Sequence, residues 1–142
     1  MIRTLLMTTL LFGLPALAEV DVKTLYDVST EGTSTQVKAG EKGTVKIAIT
    51  TKEGAHVSDE APLKIELSSK EAKLDKQKLA YTDSLAKKGE GGKAHPDPRF
   101  EVGFTAAAKG KATVEAKLTF FICTDKICAR QTKALALPVE VQ

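Results

Sequence analysis

Five stretches of the chain alternate apolar and polar or small residues with a period of two: Val45–Thr50, Leu63–Ser68, Phe100–Thr105, Val114–Phe120 and Leu135–Val141. Neighbouring side chains on a strand point to opposite faces, so each stretch predicts a β-strand with one wet and one buried face. Glycine-bearing or polar turns separate them, at Ala39–Gly43, Lys52–Gly54, Lys109–Lys111 and Thr124–Ile127. Short half-buried strands at this spacing predict two antiparallel sheets packed face to face, an all-β sandwich. Val20–Val28 is read as a further strand. Pro138 lacks an amide hydrogen, so its strand is expected to present it to an open edge or a bulge.

Residues 69–97 fit this scheme least well. Ser69–Lys88 is rich in Lys, Ala, Leu and Glu, which favours helix on propensity. Its apolar residues, Leu74, Leu79, Tyr81 and Leu85, form no helical stripe, so short strands are expected near Leu74 and at Leu79–Tyr81. A loop should follow through Gly89–Lys93 and His95–Pro98.

The start of the chain has a different character. Arg3, the apolar run Leu5–Leu17 and the small-x-small pattern Ala16-Leu17-Ala18 read as a secretory signal peptide, residues 1–18. The run is shorter than the roughly 20 residues a bilayer span needs, and no later stretch reaches that length. Position 19 is Glu rather than Cys, against a lipid-modified start. The expected mature chain, residues 19–142, is a single domain, exported to the periplasm or beyond the cell and without a transmembrane span. Of the 21 basic residues only Arg3 lies in the leader, so 20 face 18 acidic ones and the mature charge is +2. Lysines alternate with acids along the chain and form no basic stripe, which argues against nucleic-acid binding.

Export changes the meaning of the two cysteines. Cys123 and Cys128 flank Thr124–Ile127, and in an oxidising compartment they should pair. Cys123 would close one strand and Cys128 open the next, with the turn bringing their Cα atoms within about 4.4–6.8 Å. So short a loop yields only about 2 kcal/mol on a chain-entropy basis. A bridge across a local turn should also be exposed to an attacking thiolate. Both a structural and a redox role remain open on these grounds. Lys126 and Arg130 would favour a thiolate and Asp125 would oppose one.

The segment Phe120–Val141, an aromatic pair, Cys, an Asp-containing turn, Cys, Thr and a Leu/Val alternation, resembles the N-terminal periplasmic domain of the thiol:disulfide interchange protein DsbD. Lys52–Val57 with Leu63–Ile65, and the strand from Lys111 to Cys123, extend the resemblance upstream. It implies an immunoglobulin-like sandwich whose Cys123 and Cys128 are the redox pair, one attacked by a partner thiolate and the other resolving the mixed disulfide. Which cysteine takes which part is not implied. Ala129-Arg130-Gln131 departs from the aromatic or Leu and proline residues that usually follow the second cysteine. Residues 82–97 carry no aromatic to cap the pair, Tyr81 being the nearest. In DsbD the domain is joined to a membrane domain and a thioredoxin-like domain; here it is expected to stand apart and to need a separate electron donor.

Other chemistry is weaker. His56 and His95 could join the cysteines in a mixed metal site, but their spacing matches no zinc pattern. Both methionines lie in the leader, removing thioether ligands for copper(I). His95 beside Pro96 reads as a surface loop residue. No Gly-x-Ser-x-Gly elbow or phosphate-cradling loop occurs, and Asp59-Glu60 reads as a solvated turn. The expectation is an immunoglobulin-like β-sandwich, without metal or cofactor. It would relay electrons through Cys123 and Cys128 to or from another exported thiol protein or a membrane electron donor. Docking would centre on Phe121, with Tyr81 nearby. The alternative is a non-enzymatic binding or structural module with an inert disulfide.

Overall fold

The structure is a computed structural model that describes residues 20–142. The expected signal peptide, residues 1–18, lies outside the described residues. Ten strands follow in order: β1 (Tyr26–Ser29), β2 (Gln36–Val37), β3 (Lys42–Thr51), β4 (His56–Val57), β5 (Lys64–Ser68), β6 (Ala72–Leu74), β7 (Lys78–Ala80), β8 (Arg99–Ala106), β9 (Gly110–Cys123) and β10 (Cys128–Val141). No α-helix is present among the described residues; three single 3-10 turns are.

One sheet runs β1-β3-β8-β6 and the other β2-β10-β9-β5-β7, with β4 beside β9 on the same edge as β5. The first part of the described chain is shared between them, β1 in one sheet and β2 in the other. The chain crosses from sheet to sheet at most connections, and β9 and β10 close it as one long hairpin. This is an immunoglobulin-like β-sandwich. All pairings are antiparallel except β2 with β10, where Gln36 and Val37 lie parallel to Glu140 and Val141.

The period-two stretches fall in strands, apart from Leu63 just before β5, and their apolar faces meet between the sheets. Val45, Ile47 and Ile49 of β3 and Phe100, Val102 and Phe104 of β8 face Ile65 and Leu67 of β5 and Val114, Leu118, Phe120 and Ile122 of β9. Burial of a large apolar side chain is worth about 1.5–3 kcal/mol, so this inner layer is the main stabilising element. Residues 69–97 contain no α-helix, only the 3-10 turns Tyr81–Asp83 and Glu90–Gly92. β6 and β7 occupy the positions expected near Leu74 and Leu79, one on each sheet, while Tyr81, expected in the second of these strands, opens a 3-10 turn instead.

The expected strand over Val20–Val28 is only half present. Val22–Leu25 form a 3-10 turn because Asp21 caps it, its Oδ1 accepting the Lys23 amide at 3.1 Å. Extended structure begins at Tyr26. Alternation alone marks only part of the long strands: β9 begins at Gly110, and β10 begins at Cys128, where the cysteine pattern placed its start. The first half of β10 carries polar residues on both faces and no large apolar side chain, so hydrophobic patterning does not mark it.

Candidate functional site around the disulfide

Cys123 ends β9 and Cys128 opens β10, and the two are direct cross-strand partners. Between them the Thr124 amide donates to the Ile127 carbonyl at 2.7 Å. Thr124 Oγ1 accepts the amides of Lys126 and Ile127 at 3.2 Å each, so one side chain organises the bend. Hydrogen-bonded and non-hydrogen-bonded pairs alternate along an antiparallel ladder. With Thr124 and Ile127 bonded, Cys123 and Cys128 form a non-hydrogen-bonded pair, the kind that brings Cα atoms closest. Their Cα atoms are 4.0 Å apart, nearer than the spacing anticipated from the sequence, and the sulfurs are joined.

The two sulfur-bearing residues differ in exposure. Cys128 is exposed, whereas Cys123 retains only 3% of its accessible surface. The sequence reading expected an exposed bridge; half of it is. Even-numbered residues of β9 from Ala112 to Ile122 are buried in the sandwich, so Phe121 and Cys123 lie on the opposite, outer face. Phe121 is half-buried there, and Tyr81 packs against the core.

On its other edge the tip of β9 meets β4. His56 is opposite Cys123, and Val57 is opposite Ile122. Val57 and Ile122 both face the core, so His56 shares the outer face with Cys123. His56, Cys123 and Cys128 therefore form one row across three adjacent strands. The His95 ring stacks on His56 with centroids 4.3 Å apart and planes 17° apart. His95 does lie on a surface loop, as its sequence context suggested, and its ring is held there by the stack. Its Nδ1 is buried without a hydrogen bond, 3.5 Å from Asp59 Oδ2. Burial, and secondarily His95, hold the His56 imidazole below its ordinary value, while Asp59 pulls the other way.

The loop between β7 and β8 is what delivers His95. Asp97 Oδ1 accepts the Thr51 hydroxyl at 2.7 Å and the Thr51 amide at 3.2 Å, tying the loop to the end of β3. The Ile49 amide donates to the Pro98 carbonyl at 3.0 Å. Further out, Glu90 pairs with Arg99. Gly89, Gly91 and Gly92 all have positive φ, a conformation other residues resist, so the run Gly-Glu-Gly-Gly permits the reversal.

Two recesses flank the site. One, of about 530 Å³, is lined by Lys52, Glu53, His56, Lys93 and His95 among others. The second, of about 590 Å³, lies against the disulfide turn and includes Val20, Leu25, Glu53, Asp125 and Ile127. Val20 and Ile127 are among the most exposed large apolar side chains among the described residues. No group of three or more His, Cys, Asp or Glu side chains is placed to hold a metal ion among the described residues. No helix among them is long and apolar enough to cross a membrane.

No family profile matches the chain, and no curated protein matches it in sequence. Similar solved structures include a lipoprotein from Bacteroides thetaiotaomicron, with 13% identity, TM-score 0.49, and coverage of 81% of this chain and 78% of that one. A conjugative transposon lipoprotein from Bacteroides eggerthii aligns over 80% of this chain and 95% of its own at 11% identity and TM-score 0.43. Domains 4 and 5 of the S-layer protein SbsC align over 82% of this chain and 51% of that one, with 14% identity and TM-score 0.44.

Proposed function

We propose that this protein is an exported thiol–disulfide exchange module that passes electrons to or from another exported protein through Cys123 and Cys128. The observation that carries the reading is the asymmetry of the bridge: one cysteine exposed at the mouth of a hairpin, its partner buried behind it. A visiting thiolate reaches Cys128 first. Its attack forms a bond from the visitor's sulfur to Cys128 Sγ and breaks the Cys123–Cys128 bond. The electron pair leaves on Cys123 Sγ, and Cys123 later resolves the mixed disulfide by the reverse attack. The apolar groove bearing Ile127, Val20 and Leu25 beside the turn provides docking area next to the reacting sulfur. The similarity of Phe120–Val141 to the DsbD N-terminal domain and the signal-peptide pattern of residues 1–18 support the same reading.

The test is the reduction potential of the mature protein equilibrated with glutathione. A value above about −250 mV supports exchange; one below about −300 mV marks an inert structural bond and favours the binding-module alternative. The role assignment has its own test. Cys123→Ser leaves the exposed sulfur without its resolver and should accumulate mixed disulfides with envelope thiol proteins, whereas Cys128→Ser should not. The opposite pattern would reverse the roles of the two cysteines.

A further inference from the structure

The row of His56, Cys123 and Cys128 has a member that exchange as described does not use. Residues directly opposite on antiparallel strands and on one face have Cβ atoms about 4.5–5.5 Å apart, within reach of an imidazole and a thiol. His56 stands in that relation to Cys123. Among the described residues neither His56 ring nitrogen has a hydrogen-bond partner in the protein, so the ring is free to take one. Cys123 is buried, and a thiolate there lacks water to stabilise it. The neighbouring imidazole is the one ionisable side chain set opposite it on β4.

We propose that His56 is the proton acceptor for Cys123, deprotonating its thiol when the mixed disulfide on Cys128 is resolved. This rests on the exchange reading above and adds the proton's path to it. In the mixed-disulfide state Cys123 is a thiol. The neutral imidazole takes its proton and becomes imidazolium, leaving a thiolate. That thiolate attacks Cys128 Sγ, the Cys123–Cys128 bond re-forms, and the electron pair leaves with the visitor's sulfur. The visitor's thiolate or water then takes the proton from His56. In the opposite direction, the imidazolium pairs with the departing Cys123 thiolate.

The surroundings suit this role. His95 stacks on the ring, and Asp59 is the acid nearest the pair. Lys52 and Glu53 on the preceding turn and Lys93 on the β7–β8 loop line the recess in front of it. Asp125 and Lys126 lie on the turn beyond the sulfurs. Burial, and after it His95, bias the imidazole toward its neutral form, the form a base requires, with Asp59 opposing.

Two measurements test the proposal. In the first, histidine ring resonances of the wild-type protein are titrated by NMR, oxidised and after full reduction with a phosphine. His56 should titrate at a higher pH in the reduced protein, because a thiolate then stands beside it; identical titration in both states overturns the proposal. In the second, thiolate absorbance of Cys128→Ser is followed against pH, with and without His56→Gln. Loss of the imidazole should lower the Cys123 thiolate fraction near neutral pH about tenfold, one unit of pKa. An unchanged curve would overturn it. Both readouts are made without any partner protein. A disulfide too reducing to exchange with glutathione would therefore defeat the exchange reading while the His56 coupling could still be observed.

Discussion

At the scale of single residues, several side chains have effects that can be measured separately. Tyr26 crosses from β1 to the other sheet, its ring edge-on to Phe120 with centroids 5.1 Å apart and its hydroxyl donating to Gln131 Oε1 at 3.0 Å. Tyr26→Phe keeps the ring contact and removes the hydrogen bond, so unfolding free energy should drop by about 0.5–1.5 kcal/mol in a denaturant titration. Gly43 sits where a Cβ would overlap the Phe104 ring. Gly43→Ala should therefore cost about 1–3 kcal/mol, although alanine is the better strand residue in isolation. His56 makes stability depend on pH. Its folded-state pKa is lowered, chiefly by burial, so on acidification the unfolded chain binds a proton first. The stability held by neutral His56 is complete above an unfolded-state value of about 6.5 and is lost as pH falls from there through the folded value. Equilibrium unfolding between about pH 7.5 and 5 should show that decline, and His56→Gln should flatten it.

At the scale of elements, β10 shows how a ladder decides what a sequence tolerates. Its last residues pair with β2, and the Glu140 amide donates outward to Thr35 at 2.8 Å. Amides two residues apart on a strand point the same way, so those of the even-numbered residues of β10 face away from β9. Pro138 is one of these positions, and with β2 confined to Glu140 and Val141 it faces an open edge, as its chemistry required. The same rule separates two neighbouring exposed sites. Ala134→Pro removes an amide that faces the open edge. Lys133→Pro removes one that faces β9 and leaves the Leu118 carbonyl unpaired. The second variant should be less stable than the first by about 1–3 kcal/mol in thermal or denaturant unfolding. Equal stability would mean that the ladder is not in this register.

At the scale of the whole molecule, the disulfide and the core contribute at different places. The core is centred on β3, β8, β5 and β9, and the Cys123–Cys128 bridge closes one hairpin at the sandwich's end. Reduction should therefore cost only about 2 kcal/mol and leave the sandwich folded, checked by far-ultraviolet circular dichroism and unfolding with and without reductant. Global unfolding on reduction would make the bond a structural staple and remove the case for exchange. The same end of the molecule gathers the turns after β3 and β9, the β7–β8 loop and the first described residues. That is why His56, His95, Asp59 and the two cysteines meet there despite lying far apart in the chain.

Much of this was legible in the chain itself. Alternation with period two located the principal strands, because a strand with one buried face has no other pattern, and the two cysteines marked their own hairpin because the contact is local. Alternation missed the first half of β10, which has polar residues on both faces and no large apolar side chain, and which is held as a strand by backbone bonds to β9. The unequal exposure of the two cysteines and the position of His56 opposite Cys123 depended on tertiary structure. Both arise from strand register and from a loop tied down through Asp97 to Thr51, contacts between residues dozens of positions apart that no local pattern encodes.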